Sequence, residues 1–220
     1  MRKVRIQFEK QGMSRYISHL DLTHLFARAL SRAQVEVKHS EGFHVRPILV
    51  FGAPLSLGFD GQAELLDITL MDDSLTDEQL VQRLSGALPG GMKVVRVYEP
   101  QRKVGEIGYG VYHFTCECQA NENLLSQVRA LFAQEEVVVL KHTKRGEAEA
   151  NIIPLIHKLD WTITEEGYLR GDCILALGDT GNLNPQYLVK ALERYIPGWH
   201  SEYESYVREG FLDKNLEKFA

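Results

Sequence analysis

The chain has 220 residues, 44% of them hydrophobic and 25% charged, with a formal net charge of −5. That length suffices for one large domain or two of roughly 100 residues each, and no apolar run approaches the ~18 residues that read as a membrane-spanning helix. Three cysteines at no framework spacing argue against a disulfide scaffold, and MRKVRIQFEK has no apolar stretch behind its basic residues, so a cytoplasmic protein without an export signal is expected.

The net charge hides an asymmetry. Residues 1–50 carry nine Lys/Arg against four Asp/Glu, whereas the other 170 carry 16 against 26. His19, His24, His39 and His44, four of the eight histidines, also fall in the first stretch. Gathered on one face, such residues attract an anionic partner; scattered over several, they only solvate the surface.

In chain order, KVRIQFE (3–9) alternates Val4, Ile6 and Phe8 with polar residues, the period of a half-buried strand. Residues 18–33 place Leu22, Leu25, Phe26, Ala29, Leu30 and Ala33 at helical spacing. QVEVK (34–38) alternates again, ILVFGAPL (48–55) is a short apolar run broken by Gly52 and Pro54, and AELLDITL (63–70) is a strand. Thr76 begins a helix with acidic residues in its first turn, where the dipole favours them, and MKVVRVYE (92–99) is the next strand. This βαββαβ order is the ferredoxin-like pattern. It recurs as a strand at 110–118, a helix at 121–134, a strand at 136–142, a hairpin over 159–178, a helix at 184–196 opened by Pro185, and a strand at 202–209. The expectation is an α+β protein of tandem ferredoxin-like sandwiches with mostly antiparallel sheets. Residues 1–104 form one half and 105–220 the other, with PQRKVGEIGYG (100–110) as connector.

The helix start carries two signals. Ser18 and Asp21 make the S-x-x-D form of a capping box, in which the Asp carboxylate is expected to reach back to the Ser18 amide. Ile17 and Leu22 supply the matching hydrophobic staple. Beyond the cap, His24, Arg28 and Arg32 follow one another along the helix, opposite the Leu25/Phe26/Ala29 side. This stripe suits a phosphate or carboxylate, which Arg grips in bidentate fashion, or else is simply a solvated face. His19 stands at the first helical position, where free amides favour an anion. His19, Asp21 and His24 have no spacing that identifies a metal site, and no metal is expected.

The second candidate is HSEGFHVRP (39–47), where His39, Glu41, Phe43, His44 and Arg46 crowd a loop turned at Gly42 and ended by Pro47. An aromatic with His and Arg in one loop binds nucleotides or RNA by stacking and phosphate contact; Phe43 otherwise plugs a core. The helix stripe and this turn are expected to close on a single positively charged recess. Cys116 and Cys118 share strand parity with Tyr112 and Phe114 and read as buried thiols, GEIGYG (105–110) as a hinge, and KHTKR (141–145) as a solvated basic loop. No G-x-S-x-G, H-E-x-x-H, Walker loop or paired C-x-x-C occurs, so no reaction is disclosed and no cofactor is expected.

YISHLDLTHLFARALSRA followed by HSEGFHVRPILVFGAPLSLG resembles a family of bacterial radical SAM-linked proteins, the domain of unknown function 2344. The likeness rests on Y-I-S-H-L-D, S-E-G-F, a Pro-ended loop, P-L-x-x-G and an acidic AELLDITL-like strand, all in order. Members commonly read S-E-G-F-N-P-H-P; this chain has His44 and Arg46 in that loop. The resemblance implies an accessory role beside a separately encoded radical SAM protein, binding RNA or another anionic substrate. The chain is not that enzyme, since it lacks the C-x-x-x-C-x-x-C cysteines that hold a [4Fe–4S] cluster. Two other expectations stand beside this one. The first is an RNA-processing or RNA-modifying enzyme, with halves resembling those of CRISPR RNA nucleases or pseudouridine synthases and with His19 or His24 as general acid/base or Asp21 as nucleophile. The second is a pure protein-interaction subunit.

Overall fold

The computed structural model describes residues 1–143, 146–179 and 181–219. It is a mixed α+β structure with four α-helices and mostly antiparallel sheet. Two compact units are formed, Met1–Ile107 with Arg208–Ala220, and Gly108–Val207.

The first unit contains β1 (Arg2–Lys10), α1 (His19–Arg32), β2 (Val50–Phe51), β3 (Asp60–Leu70), α2 (Asp77–Ala87) and β4 (Met92–Tyr98). β1 pairs antiparallel with β3 from Arg2↔Leu70 onward and with β4 from Arg5↔Tyr98 onward. Val4, Ile6 and Phe8 are fully buried on one face of β1, and Leu66, Ile68 and Leu70 continue that face on β3. α1 covers it with Leu22, Phe26, Ala29 and Leu30, and α2 with Leu80 and Leu84. Each fully buried aliphatic or aromatic side chain of this kind contributes ~1.5–3 kcal/mol. Phe8 meets Phe26 edge-on at 4.8 Å between ring centroids, and Phe26 meets Phe51 at 5.8 Å.

The expected strand QVEVK and the apolar run ILVFGAPL both pair over only a short length. QVEVK does bury Val35 and Val37, but Gln34 leaves the helix with φ 53° and the segment then passes only the end of β3. It makes a single bridge there, Val37↔Leu70, with Lys38 N–H donating to the Thr69 carbonyl. Of ILVFGAPL, only Val50 and Phe51 pair, with Asp67 and Leu66.

The second unit comprises most of β5 (Ile107–Cys116), α3 (Glu122–Phe132), β6 (Val138–Thr143), β7 (Gly146–Asn151), β8 (Ile156–Ile163), β9 (Leu169–Ala176) and α4 (Gln186–Tyr195), together with the start of β10 (Glu204–Asp213). β5 lies antiparallel to β9, and β9 to β8. β6 and β7 make a separate two-stranded ribbon, Val138↔Asn151 to Thr143↔Gly146. β7, with sequence GEAEAN, has no strand pattern of its own; β6 supplies its hydrogen-bonding ladder. Of the KHTKR segment, Lys144 and Arg145 lie outside the described residues. The glycines expected to form a hinge are partly sheet: β5 starts at Ile107, so Gly108 and Gly110 are strand residues. Cys116 is fully buried beside Tyr112 and Phe114, whereas Cys118 lies beyond the strand and is only partly covered. Gly171 of β9 packs under two rings. A Cβ there would stand 2.5 Å from Phe114 and 3.2 Å from Trp161.

Candidate functional site

The start of α1 is set by Ser18, whose hydroxyl oxygen accepts from the Asp21 amide at 3.1 Å. The same hydroxyl donates to Asp21 Oδ2 at 2.7 Å, so the carboxylate takes the Ser18 side chain and not, as expected, its amide. Asp21 is thereby committed to the cap.

One turn further on, a recess of about 500 Å³ opens between α1 and the end of α2. Ile17, Leu25, Leu88 and Pro89 give it an apolar floor, and Asp21, His24, Arg28 and Arg32 stand in its wall. Leu25, placed by the sequence pattern on the opposite side, is part of that floor. Arg32 Nη2 donates to the Ala87 carbonyl at 2.6 Å. It thus serves the carbonyl end of α2, a helix with no basic residue in its own last turn. His24 and Arg28 are exposed and have no hydrogen-bond or ion-pair partner among the described residues. Such a pair of donors over an apolar floor is suited to an anion with an apolar or aromatic portion.

The other predicted residues lie apart from this recess. His19 turns its ring edge-on to Phe51, 5.2 Å between centroids. His39 bridges to Pro47, its Nδ1 donates to the Val37 carbonyl at 2.7 Å, and both His39 and Pro47 line a different cavity with Ala27, Ser31 and Gln34. The two cavities share no lining residue. On α1, positions 27 and 31 lie about 60° around the helix axis from positions 24 and 28. Helix stripe and loop therefore do not close on one recess.

Residues 40–46 form a tongue held by its own hydrogen bonds: Ser40 N–H to the Arg46 carbonyl at 2.8 Å and Arg46 N–H to Ser40 Oγ at 3.1 Å. Glu41, His44 and Arg46 are exposed on it. Phe43 is not a core plug; at 105% exposure it stands clear at the tip, and Val45, Ile48 and Val50 are exposed on the chain that leaves it.

Sequence reasoning passed over the buried charges of this unit. Arg208 is 1% exposed and grips Glu64 through Nε (2.9 Å) and Nη2 (2.5 Å). It also donates to the carbonyls of Ala53 and Pro54, which fixes the P-L-x-x-G segment. Lys10 is 1% exposed, and burial pushes its ammonium down while Glu64 pulls the other way. Arg5, fully buried, binds Asp67 through Nε (2.6 Å) and Nη2 (2.8 Å), and its guanidinium lies 5.0 Å from the Phe219 ring. Burial opposes the charge on Arg5 most strongly, but its bonds to Asp67 more than offset that and raise it above the usual arginine range. A signal for two of these residues was present. Lys10 has the strand parity of Val4, Ile6 and Phe8, and Glu64 that of Leu66, Ile68 and Leu70; a charge on the core face demands a partner.

Among the described residues no group of three His, Cys, Asp or Glu is placed to hold a metal ion, and no helix is long and apolar enough to cross a membrane. The fold and site define a mixed α+β protein with a cationic, apolar-floored recess. The family described as "Uncharacterized protein conserved in bacteria (DUF2344)" matches residues 3–185, and the chain belongs to it. No curated protein matches the chain. A crystal structure of an unknown protein from Galdieria sulphuraria aligns over 88% of this chain and 90% of its own, at 14% identity and a TM-score of 0.27.

Proposed function

We propose that this chain is a cytoplasmic accessory protein that binds an anionic substrate of the RNA class in the His24–Arg28 recess and works with a separately encoded radical SAM protein. The observation that carries the reading is the pair of cationic or ionisable donors, His24 and Arg28, exposed over an apolar floor without a partner among the described residues. An arginine held ready in this way meets phosphate bidentately, and the floor accepts the flat face of a base or sugar. A docking role is supported by the tongue, because Phe43, Val45, Ile48 and Val50 present apolar surface in one short stretch. The radical SAM partner rests on the family motifs.

The fold belongs to the same reading: we infer a tandem ferredoxin-like arrangement. Counting β5, β8, β9 and β10 as a second set of four beside β1 to β4, both sets order their strands fourth, first, third, second, which supports it. A nuclease or synthase reading is less favoured. Asp21 is spent on the Ser18 cap, and no carboxylate orients His24 among the described residues.

The test is fluorescence anisotropy of a labelled single-stranded oligo(U) across 50–200 mM NaCl, comparing wild type with a His24→Ala/Arg28→Ala variant. Arg32 is left intact because it serves α2. The variant is expected to bind more weakly and with a flatter salt dependence. Unchanged affinity and slope would rule out the recess.

A further inference from the structure

A second cationic arrangement lies in the Gly108–Val207 unit, far along the chain from the recess. Lys141 of β6 and Lys190 of α4 both direct their ammonium groups at the ring of Tyr187, at 5.4 and 5.2 Å from its centroid. Lys141 Nζ also donates to the Asn182 carbonyl at 2.8 Å, which pins it in place from a third segment. Neither lysine has a carboxylate partner among the described residues. The neighbouring cation differs: Arg194, one turn further along α4, is paired with Glu149 at 2.9 Å. Two like charges converging on one ring repel each other, and the ring's negative face only partly relieves this. Burial in addition pushes the Lys141 ammonium below its ordinary range.

We infer that Lys141 and Lys190 take a backbone phosphate of single-stranded RNA between them, with Tyr187 as the aromatic surface beside it. The inference extends the RNA reading of the previous section to a second contact, made by different residues on a different unit. An aromatic ring flanked by lysines is the chemistry of sequence-tolerant single-strand binding: the amines meet phosphates and the ring meets a base or sugar.

The experiment uses the full chain and the same labelled oligo(U), with variants Lys141→Gln/Lys190→Gln, Tyr187→Leu and Tyr187→Phe. Matched thermal melts exclude unfolded variants. Loss of one single-strand phosphate contact should lower the log–log salt slope by about 0.7, so that the gap between wild type and double variant changes about 2.6-fold between 50 and 200 mM NaCl. Tyr187→Phe should bind as wild type and Tyr187→Leu more weakly. If the lysine variant keeps the wild-type slope while His24→Ala/Arg28→Ala lowers it, this inference is overturned and the recess stands. The reverse pattern supports this site and removes the recess. Displacement of RNA from wild type by millimolar inorganic phosphate at matched ionic strength would mark a small-anion site and overturn the nucleic-acid assignment.

Discussion

Arg208 and Glu64, 144 residues apart in the chain, meet as two parallel forks with Nε 2.9 Å from Oε1 and Nη2 2.5 Å from Oε2. Both side chains are almost sealed from solvent, at 1% and 6% exposure. A pair so buried recovers its desolvation cost only when geometry and further hydrogen bonds are good, and Arg208 has both through the Ala53 and Pro54 carbonyls. The pair thus ties the C-terminal segment to the loop before β3.

Removing one partner leaves an uncompensated charge. Arg208→Met is therefore expected to cost about 3–5 kcal/mol in urea unfolding, and Glu64→Met a similar amount. The double variant should recover a large part of the sum, because two apolar residues replace two buried ions. Additive losses in the double variant would show that the two side chains act independently.

Alkaline pH should weaken the second unit. Burial pushes the Cys116 thiol up, and Tyr206 is pushed up by burial and by donating its hydroxyl proton to Glu204. Both groups hold their protons in the folded state and release them on unfolding above about pH 9 to 10. The folded state then binds more protons, so this stabilisation is complete below the unfolded pKa and is lost as pH rises, at about 1.4 kcal/mol per pH unit per group. Lys10 in the other unit works in the opposite sense, since its folded pKa is lowered. Both tryptophans, Trp161 and Trp199, lie in the second unit, so their fluorescence isolates the effect. Denaturation midpoints should fall from pH 8 to pH 10.5, less so in Cys116→Ala/Tyr206→Phe. A fall of equal size in that variant would assign the effect elsewhere.

Gly171→Ala introduces a methyl group within 2.5 Å of the Phe114 ring. The rings of Phe114 and Trp161 stand perpendicular at 5.3 Å and leave no slack beneath them. A loss of about 1–3 kcal/mol is expected, with altered near-ultraviolet dichroism from Trp161. Wild-type stability would mean that the ring pair shifts freely.

Phe43→Ser should leave folding stability within about 0.5 kcal/mol, because the side chain touches solvent rather than core. Co-purification with a co-expressed radical SAM partner should fall sharply. Retained co-purification would exclude the tongue as its docking element.

Local patterns reached the elements whose cause is local. Val4, Ile6 and Phe8 alternate because one face of β1 is buried, and Ser18 starts α1 because its hydroxyl reaches the Asp21 amide three residues on. His24 and Arg28 share a recess because four residues make about one helical turn. The family, too, was legible in ordered short motifs.

What no stretch of sequence carried was decided by contacts between distant segments. The His39–Pro47 bridge and the His24 stripe line different cavities, which depends on where β3 receives the chain after Gln34. β7 is a strand only because β6 is beside it. Lys141 meets Tyr187 and Lys190 only once β6 and α4 have packed, and Arg208 finds Glu64 only when the chain end returns to the first unit. Spacing along a chain determines which side chains share a face. Which faces meet depends on the closure of long loops, whose cost and reward are settled by the whole packed structure.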